Sequence, residues 1–364
     1  MKRRICMLLL LAMLLPLVGQ AGAEENTAYE IMDALGVGWN LGNSFDAPEG
    51  ELAWGNPRTK AELLPKVKEL GFNTIRIPVS WGRHVSAAPE YTIDEAFLNR
   101  VDEVVRQALE AGLYVILDSH HDNEIYSPTP ENLEQGKAYL SAIWSQLAAH
   151  FADVDEQLIF QTMNEPRVQG SSYEWELSLA KKEHREIVEI VNQLNQTALD
   201  AIRAGGGWNE SRYVLVCPYA GKLSCAANAV FQMPQDSAEN RLMLSAHLYT
   251  PYNLCLNGDM NLNTLRARDL AQVRYELSSL DKWFIQKGIP VVVDEMGCTN
   301  KNNPDARYEW AKGFIELADS FHIPCVVWDN GYLQGSGDKF GLIDRVKLEI
   351  YPESACVYNG LMGK

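Results

Sequence analysis

Eight short apolar segments, separated by segments with helical periodicity, constrain the fold of this chain more than any other feature. They are GVGWNLGN near residue 40, NTIRIPV ending at Val79, LYVILDSHH ending at His121, LIFQTMNEP ending at Pro166, RYVLVCPY around Val216, RLMLSAHLY ending at Tyr249, IPVVVDEMG ending at Gly297 and IPCVVWDN ending at Asn330. Strands that are apolar on both faces belong to parallel sheets covered by helices. The pattern therefore predicts an α/β fold with strands and helices in alternation.

The segments between these strands predict amphipathic helices. Apolar residues recur on one helical face within 97–108, 140–151 and 187–198. Thr92 and Glu95 have the spacing of a capping box at the start of the first of these helices. Eight such units match a single (β/α)8 TIM barrel, whose usual size is about 250 residues. A doubly wound sheet is the alternative, but the first strand lacks the GxGxxG spacing of that fold.

The first 23 residues have the layout of a secretory signal peptide. Basic residues at 2–4 precede an apolar run at 7–18, which is too short to span a bilayer, and small residues at 21–23 provide a cleavage site. We expect residues 1–23 to be removed, leaving one barrel domain, residues 24–364, that is secreted to the periplasm or the medium without membrane attachment. An uncleaved membrane anchor is the alternative.

The charge of the chain bears on its partners. The formal net charge is −16 at pH 7, and loss of residues 1–23 would remove three positive charges and change it to −19. So acidic a surface repels phosphate backbones, and we therefore expect no nucleic-acid partner. A neutral ligand such as a sugar polymer is compatible with this charge.

Cysteine usage is compatible with an exported protein. The chain has seven cysteines, of which Cys6 lies in the expected signal peptide. The others are Cys217, Cys225, Cys255, Cys298, Cys325 and Cys356. Six thiols allow about 15 disulfide pairings, and buried free thiols are an equal alternative. None of the six falls in a CxxC pair, so a zinc site has no support.

Polar and aromatic residues follow the apolar bodies of most of these strands. They are Asn40 and Asn43 in the first strand, Arg76 in the second, His120 and His121 in the third, Asn164 and Glu165 in the fourth, His247 and Tyr249 in the sixth, Glu295 in the seventh and Trp328 in the eighth. The carboxyl ends of barrel strands surround one pocket. We therefore expect these residues to share a pocket, although structural roles would explain His121, Asn40 and Asn43 taken singly.

Glu165 and Glu295 indicate chemistry carried out by carboxylates. In glycoside hydrolysis one carboxyl group protonates the leaving oxygen, while the other attacks the anomeric carbon or activates water. Both glutamates fall at the same end of the predicted barrel. Their separation, which sets the stereochemistry, is not fixed by their spacing in the sequence.

At these residues the chain resembles glycoside hydrolase family 5, and within its cellulase branch it is most similar to subfamily 4. The motifs are GVGWNLGNSFDA, WGNP, GFNTIRIPVSW, VILDSHHD, MNEP, HLYTPY, VVVDEMG and VVWDN, and they extend from about Leu35 to Asn330. A motif such as NEP is weak alone, but eight motifs in order at strand ends are specific.

The resemblance implies a retaining hydrolase with no metal or cofactor, in which Glu165 is the general acid/base and Glu295 is the nucleophile. It also places six residues around the sugar at the cleavage point: Arg76, His120, Asn164, His247, Tyr249 and Trp328. We add His121 and Asn43 to these substrate-binding candidates. Five aromatic residues of the predicted loops are either sugar platforms or loop-core fillers, namely Trp54, Trp81, Tyr126, Trp175 and Tyr252.

The predicted function is that of a secreted, monomeric endo-β-1,4-glucanase that cuts within β-glucan chains, with xyloglucan, mixed-linkage glucan or xylan as further substrates. An endo-β-mannanase on the same fold is the nearest alternative. A carbohydrate-binding barrel without catalysis would need neither glutamate. A metal-dependent hydrolase would use His120, His121, Asp122 and His247, but the usual HxH spacing on the first strand is missing.

Overall fold

The computed structural model describes residues 27–335 and 337–364, so the expected signal peptide lies outside the described residues. Within these two ranges, no helix combines the length and the apolar character needed to cross a bilayer.

Eight parallel strands close into a barrel in the order of the chain. The strands are β1 Val37–Leu41, β2 Thr74–Ile77, β3 Tyr114–Asp118, β4 Leu158–Gln161, β5 Val214–Val216, β6 Leu242–His247, β7 Val291–Met296 and β8 Cys325–Asp329. β8 pairs with β1 from Val37 opposite Cys325 to Leu41 opposite Asp329, which completes the barrel. The structure thus confirms the (β/α)8 fold.

Helices surround the barrel and continue past its last strand. They are α1 Thr27–Leu35, α2 Leu63–Glu69, α3 Glu95–Glu110, α4 Leu133–His150, α5 Lys182–Ala204, α6 Leu223–Ala226, α7 Tyr252–Cys255, α8 Ala267–Trp283, α9 Pro304–Asp319 and α10 Ala355–Leu361. The three predicted apolar stripes lie on α3, α4 and α5. A short hairpin of β9 Ile343–Asp344 and β10 Glu349–Ile350 precedes α10.

The start of α3 differs from the prediction. The side chain of Asp94 caps the helix by accepting the N–H of Phe97 at 2.8 Å. Since α3 begins at Glu95, this residue is the first of the helix rather than the third, and it cannot complete a capping box with Thr92. The predicted capping box is therefore wrong by two residues.

The interior of the barrel is built in two layers. The lower layer is apolar and consists of Ile116, Ile159, Leu215, Met243, Val292 and Val326, closed from below by Ile31 and Leu35 of α1. Side chains of a strand alternate between its two faces, so the next inward position lies two residues further on. These next positions carry polar side chains, among them Asp118, Gln161, Ser245 and Asp294, which are buried. The polar layer forms the floor under the strand ends.

Candidate active site

Arg76 on β2 is buried at the centre of the polar layer, and all five of its N–H donors have partners. Nε donates to Gln161 at 2.8 Å, Nη1 to Asn40 at 3.0 Å and Glu295 at 2.8 Å, and Nη2 to Asp118 at 2.7 Å and Asn164 at 2.6 Å. Burial favours a lower pKa for Arg76, but Asp118, Glu295 and Asp294 raise it overall. The guanidinium therefore stays charged and ties the site together.

An irregularity in β7 turns two consecutive acidic side chains into the barrel. Regular alternation would send Asp294 and Glu295 to opposite faces of the strand. The pairing with β8 shifts register between Val293 and Met296, which is the effect of a β-bulge. As a result Asp294 Oδ1 accepts a hydrogen bond from Ser245 at 2.8 Å within the floor, while Glu295 lies in the site above it.

Both oxygens of Glu295 accept hydrogen bonds. Arg76 Nη1 donates to Oε1 at 2.8 Å, and the hydroxyl of Tyr249 donates to Oε2 at 2.9 Å. Burial and the charge of Glu295 raise the pKa of Tyr249 well above 10, so this hydroxyl keeps its proton. These two donors fix the orientation of the Glu295 side chain.

Glu165 lies four residues beyond the end of β4, between two cationic groups. Its Oε1 is 2.7 Å from Nδ1 of His247, and its Oε2 accepts from Nη1 of Arg167 at 3.2 Å. Burial raises the pKa of Glu165, but His247 and Arg167 lower it to about 2. Burial lowers the pKa of His247, but Glu295 and Asp294 raise it well above 6.5. At neutral pH the pair consists of an imidazolium and a carboxylate that hold one proton between them.

The two glutamates lie close together across the barrel. One oxygen of Glu165, one oxygen of Glu295 and a ring nitrogen of His247 all lie within 4.8 Å of one another. The residues of strands four and seven that the sequence singled out thus meet at one point.

Gly221 makes room for the ring of His247. Its φ of +64° lies in the left-handed region, and a Cβ atom built on it would fall 2.7 Å from Cγ of His247. Real Cβ atoms do not approach other atoms so closely, so any other residue would displace the imidazole that contacts Glu165.

His120 and Trp328 form a second wall of the site. Nδ1 of His120 is 2.7 Å from Oδ2 of Asp118, and its ring stacks on Trp328 with a centroid distance of 5.8 Å and an interplanar angle of 6°. The ring of His121 lies beside Trp54 at 5.7 Å. Burial lowers the pKa of both histidines to about 3, so both rings are neutral.

The two candidate asparagines occupy different places. Asn164 is buried, and its Oδ1 accepts from Arg76 at 2.6 Å. Asn43 lies in the turn after β1 with a φ of 54°. Its N–H donates to Asp46 at 2.9 Å and its carbonyl accepts from Asn56 at 2.9 Å, so its main chain is fixed within the first loop.

The loop aromatic residues fall into two groups. Trp175 and Tyr252 are exposed and Trp54 is half-buried, whereas Trp81 and Tyr126 are fully buried. Of the two alternatives left open by the sequence, Trp81 and Tyr126 are therefore loop-core fillers. Trp81 Nε1 donates to the main-chain carbonyl of Asp118 at 2.9 Å, and the hydroxyl of Tyr126 donates to the main-chain carbonyl of His120 at 3.0 Å. They hold the end of β3 in place.

The sequence interpretation missed several residues that contact the candidate side chains. Asp118, Gln161 and Asp294 were overlooked within strands, although a polar residue two positions after an inward apolar one signals a polar layer. Arg167 has no such signal. It donates to Glu165 and, through Nε, to Glu174 at 3.1 Å, and its guanidinium lies 4.4 Å from the ring of Trp175.

Two groups of described side chains lie close enough to share a cation. They are Asp46, His120 and His121, and Glu165, His247 and Glu295. Asp122 belongs to neither group, and its carboxylate accepts hydrogen bonds from Gly82, Ser119 and Tyr139 at 2.8 Å. The four-residue metal site considered from the sequence is therefore not assembled.

Comparison with known proteins places this site among carbohydrate-active enzymes. The family model of the cellulases of glycosyl hydrolase family 5 matches residues 39–334. Endoglucanase B of Neocallimastix patriciarum is 38% identical over 361 residues, which covers 96% of this chain and 74% of that enzyme.

Two solved structures extend the comparison. A family 5 lichenase from Caldicellulosiruptor sp. F32, in complex with cellotetraose, superposes with a TM-score of 0.89 at 36% identity, covering 92% of this chain and 94% of the other. A GH5-4 broad specificity endoglucanase from Ruminococcus champanellensis, with bound cellotriose, gives a TM-score of 0.85 at 37% identity and coverages of 92% and 98%.

Proposed function

The chain belongs to glycosyl hydrolase family 5, most like its subfamily 4 endoglucanases, and from that premise we propose that it cleaves internal β-1,4-glucosidic bonds of β-glucan by a retaining double displacement. One observation supports retention of configuration at the anomeric carbon. An oxygen of Glu165 and an oxygen of Glu295 lie within 4.8 Å of each other. Retaining enzymes hold their carboxyl groups about 5–5.5 Å apart, whereas inverting enzymes need about 6.5–9.5 Å to fit a water molecule.

Glu295 is the proposed nucleophile. Arg76 and Tyr249 each donate to one of its oxygens, at 2.8 and 2.9 Å, which orients the carboxylate. Its attack on the anomeric carbon forms a glycosyl ester and breaks the bond to the leaving oxygen.

Glu165 is the proposed general acid in this first step. The proton that it needs lies on the neighbouring Nδ1 of His247, 2.7 Å from its Oε1. Transfer across this hydrogen bond gives a protonated Glu165 and a neutral His247, and Glu165 then protonates the leaving oxygen.

Formation of the ester prepares Glu165 for its second role. Once Glu295 is esterified, its negative charge no longer raises the pKa of His247. His247 therefore stays neutral, and Glu165, having lost its proton, remains a carboxylate. It takes a proton from the water molecule that attacks the ester, and release of Glu295 restores the starting charges.

Other candidates bind and orient the sugar in this proposal. Because Arg76 occupies Oδ1 of Asn164, the amide NH2 of Asn164 is the group offered to a hydroxyl of the sugar. Trp328, aligned by its stacking on His120, presents a flat face to a pyranose ring. Asn43 lines the loop after β1, and His121 lines the loop after β3. None of these steps uses a cofactor, so activity should persist in EDTA, whereas its loss would support a metal-dependent hydrolase.

The proposal also covers the location, the oligomeric state and the further substrates of the protein. Residues 1–23 act as a cleaved signal peptide, and residues 24–364 act outside the cytoplasm as a monomeric catalytic domain with no membrane or nucleic-acid partner. The net charge of −16 does not disfavour β-glucan, since the polymer is uncharged. Xyloglucan, mixed-linkage glucan and xylan are the further substrates to test.

The stereochemistry can be measured directly. Cellotetraose hydrolysis followed by ¹H NMR should show the β-anomer of the new reducing ends before mutarotation mixes the anomers. Early accumulation of the α-anomer would contradict the retaining mechanism.

The substrate class requires a panel of polymers. We would follow viscosity and reducing ends together on carboxymethyl cellulose, barley β-glucan, xyloglucan, xylan and mannan, using the wild type, Glu165→Gln and the exposed control Glu134→Gln. Rapid loss of viscosity on the glucans, abolished only in Glu165→Gln, is the expected result. Preference for mannan would favour the mannanase alternative, and a folded but inactive wild type would favour a carbohydrate-binding barrel.

A further inference from the structure

Two cysteines, Cys255 and Cys298, lie close together in the segments that follow β6 and β7. Cys255 is the last residue of α7, which follows β6, and Cys298 lies two residues beyond β7. The N–H of Thr299 donates to the carbonyl of Cys255 at 3.0 Å, and Sγ of Cys298 lies 3.8 Å from the carbonyl oxygen of Leu254. The Cys298 thiol lies close enough to Cys255 to contribute, after burial, to the raised pKa of the Cys255 thiol. Their sulfur atoms are therefore neighbours across two backbones that a hydrogen bond holds together.

The surroundings of this pair contain two cations. Nζ of Lys301 donates to the carbonyls of Asn253 at 2.6 Å and Leu262 at 3.0 Å, and Nε of Arg307 donates to the carbonyl of Cys298 at 3.3 Å. Burial and the neighbouring Cys298 raise the pKa of the Cys255 thiol well above 9, and the positive charge of Lys301 opposes this rise without overcoming it. The thiolate, which is the reactive form of cysteine, is therefore a minor form of Cys255 at neutral pH.

The other described cysteines have different neighbours. Their thiols lie beside main-chain carbonyls, as that of Cys298 does: Cys217 at Asn164, Cys325 at Ile323 and Cys356 at Glu353, while Cys225 is buried beside the Leu177 backbone. What distinguishes Cys255 and Cys298 among the described cysteines is that a main-chain hydrogen bond from Thr299 to Cys255 holds their two segments together.

We propose that Cys255 and Cys298 are a modification site, at which a disulfide oxidant such as glutathione disulfide or a thiol oxidoreductase of the export route forms an intramolecular disulfide. The thiolate of one cysteine attacks the oxidant, forms a mixed disulfide and releases one thiol. The thiolate of the other then displaces the second thiol. Two electrons and two protons pass to the oxidant, and the protein becomes two hydrogen atoms lighter.

The bond would join the ends of two strands that carry the proposed machinery. β6 leads to His247 and Tyr249, and β7 holds Glu295, whose Oε2 accepts from Tyr249 at 2.9 Å. Closing a loop of about 43 residues restricts the unfolded chain, so the oxidised protein should melt at a higher temperature than the reduced protein. This inference does not depend on the proposed substrate, because its readouts are covalent structure and melting temperature.

The test uses the full chain exported to an oxidising bacterial periplasm, as wild type, Cys298→Ser and the control Cys356→Ser. A non-reduced tryptic digest of the wild type should contain one linked peptide pair, spanning Cys255 and Cys298, that disappears with dithiothreitol. Dithiothreitol should also lower the melting temperature of the wild type and of Cys356→Ser by several degrees, and leave that of Cys298→Ser unchanged.

Three results would overturn the proposal: six titratable thiols in the unfolded exported wild type, a linkage between other cysteines, or a Cys298→Ser protein that still loses stability on reduction. If Cys298→Ser fails to fold, Cys255→Ser takes its place, and the peptide map of the wild type decides the question without any variant.

Discussion

At the scale of single residues, the site is an arrangement of charges that stabilise one another. Arg76 contacts Asp118 and Glu295 through ion pairs of 2.7 and 2.8 Å, and lies 3.5 Å from Asp294. Burial raises the pKa of Asp118 to about 6 despite the opposing effect of Arg76. The imidazolium of His247 supplies the second positive charge. Each of these groups is tolerable in the interior only because its partners are present.

The role of Glu295 gives the first prediction. Glu295→Gln keeps the size of the side chain and removes the carboxylate of the proposed nucleophile, so kcat on barley β-glucan should fall by at least about a thousandfold. Circular dichroism and the exposed control Glu134→Gln would show that the loss is chemical rather than structural. Turnover close to that of the wild type would remove Glu295 from the mechanism.

The second prediction concerns the proton that His247 and Glu165 share. In the wild type this proton is held by a pair in which the pKa of His247 is raised well above 6.5. In His247→Gln the proton must rest on Glu165 alone, and the pKa of a glutamate is ordinarily about 4.3. The proton is then lost at lower pH, so the basic limb of the kcat/KM profile should move to lower pH. At pH 7 the loss in kcat/KM should be about 100-fold.

The pH profile distinguishes this role from simple packing. His150→Gln, which removes a histidine on α4 that pairs with Asp102 at 3.1 Å, is the matched control and should leave the profile unchanged. A His247→Gln enzyme with reduced activity but an unmoved basic limb would show that His247 is not the source of the proton.

At the scale of elements, loop and strand irregularities set the position of both glutamates. The register shift in β7 turns Glu295 inward, and the loop between β4 and α5 is ordered around Arg167. Arg167 donates to Glu165 and Glu174, and Glu174 in turn accepts the N–H of Gly170 at 2.8 Å. Glu165, the proposed acid/base residue, is thus fixed from its own loop as well as from β6.

Arg167→Lys tests this positioning role. Lysine keeps the positive charge but cannot bridge two carboxylates while stacking on Trp175. We expect kcat to fall roughly tenfold, which corresponds to about 1.4 kcal/mol, with the pH profile largely kept because the charge is kept. Arg185→Lys is the control, because Arg185 lies in the first turn of α5 and donates a hydrogen bond to the carbonyl of Leu179 in the preceding loop at 2.8 Å. An Arg167→Lys enzyme as active as the wild type would show that Arg167 does not position Glu165 for catalysis.

At the scale of the whole molecule, Arg76 links β2 to four other strands of the barrel, β1, β3, β4 and β7. Its partners Asn40, Asp118 and Glu295 lie on β1, β3 and β7, and Gln161 and Asn164 lie at and beyond the end of β4. One side chain therefore connects walls of the barrel that are not neighbours in the sheet. Its removal should affect folding as well as activity.

The free energy of unfolding measures this contribution. Arg76→Met leaves Asp118, Asp294 and Glu295 without their shared cation, so unfolding in urea should show a loss of about 3–5 kcal/mol. Arg106→Met breaks ion pairs on the surface, to Asp102 at 2.8 Å and Asp153 at 3.3 Å, and should cost less than about 1 kcal/mol. Equal effects of the two substitutions would contradict the central role of Arg76.

Much of this could be predicted from the sequence because the signals are local. The continuous apolar character of segments such as LIFQ and VVVDEM reflects burial on both faces of a strand, and the stripes on α3, α4 and α5 reflect burial on one face of a helix. The family motifs at the strand ends identified Glu165 and Glu295 as candidates before any distance was known. The error at Thr92 arose because local patterns do not report helix phase, and the roles of Trp81 and Tyr126 stayed open because local patterns do not report the burial of loop residues.

The sequence by itself therefore determined the barrel, the order of its strands and the set of polar residues at their carboxyl ends, since burial and periodicity act within each segment. Only the tertiary structure decided which of these residues meet. The approach of Glu165 and Glu295 to within 4.8 Å, the inward turn of Glu295 and the contact of Cys255 with Cys298 depend on neighbouring strands and on a register shift of β7. Such distances arise when the barrel closes, because closure fixes the relative positions of residues that are far apart in the chain.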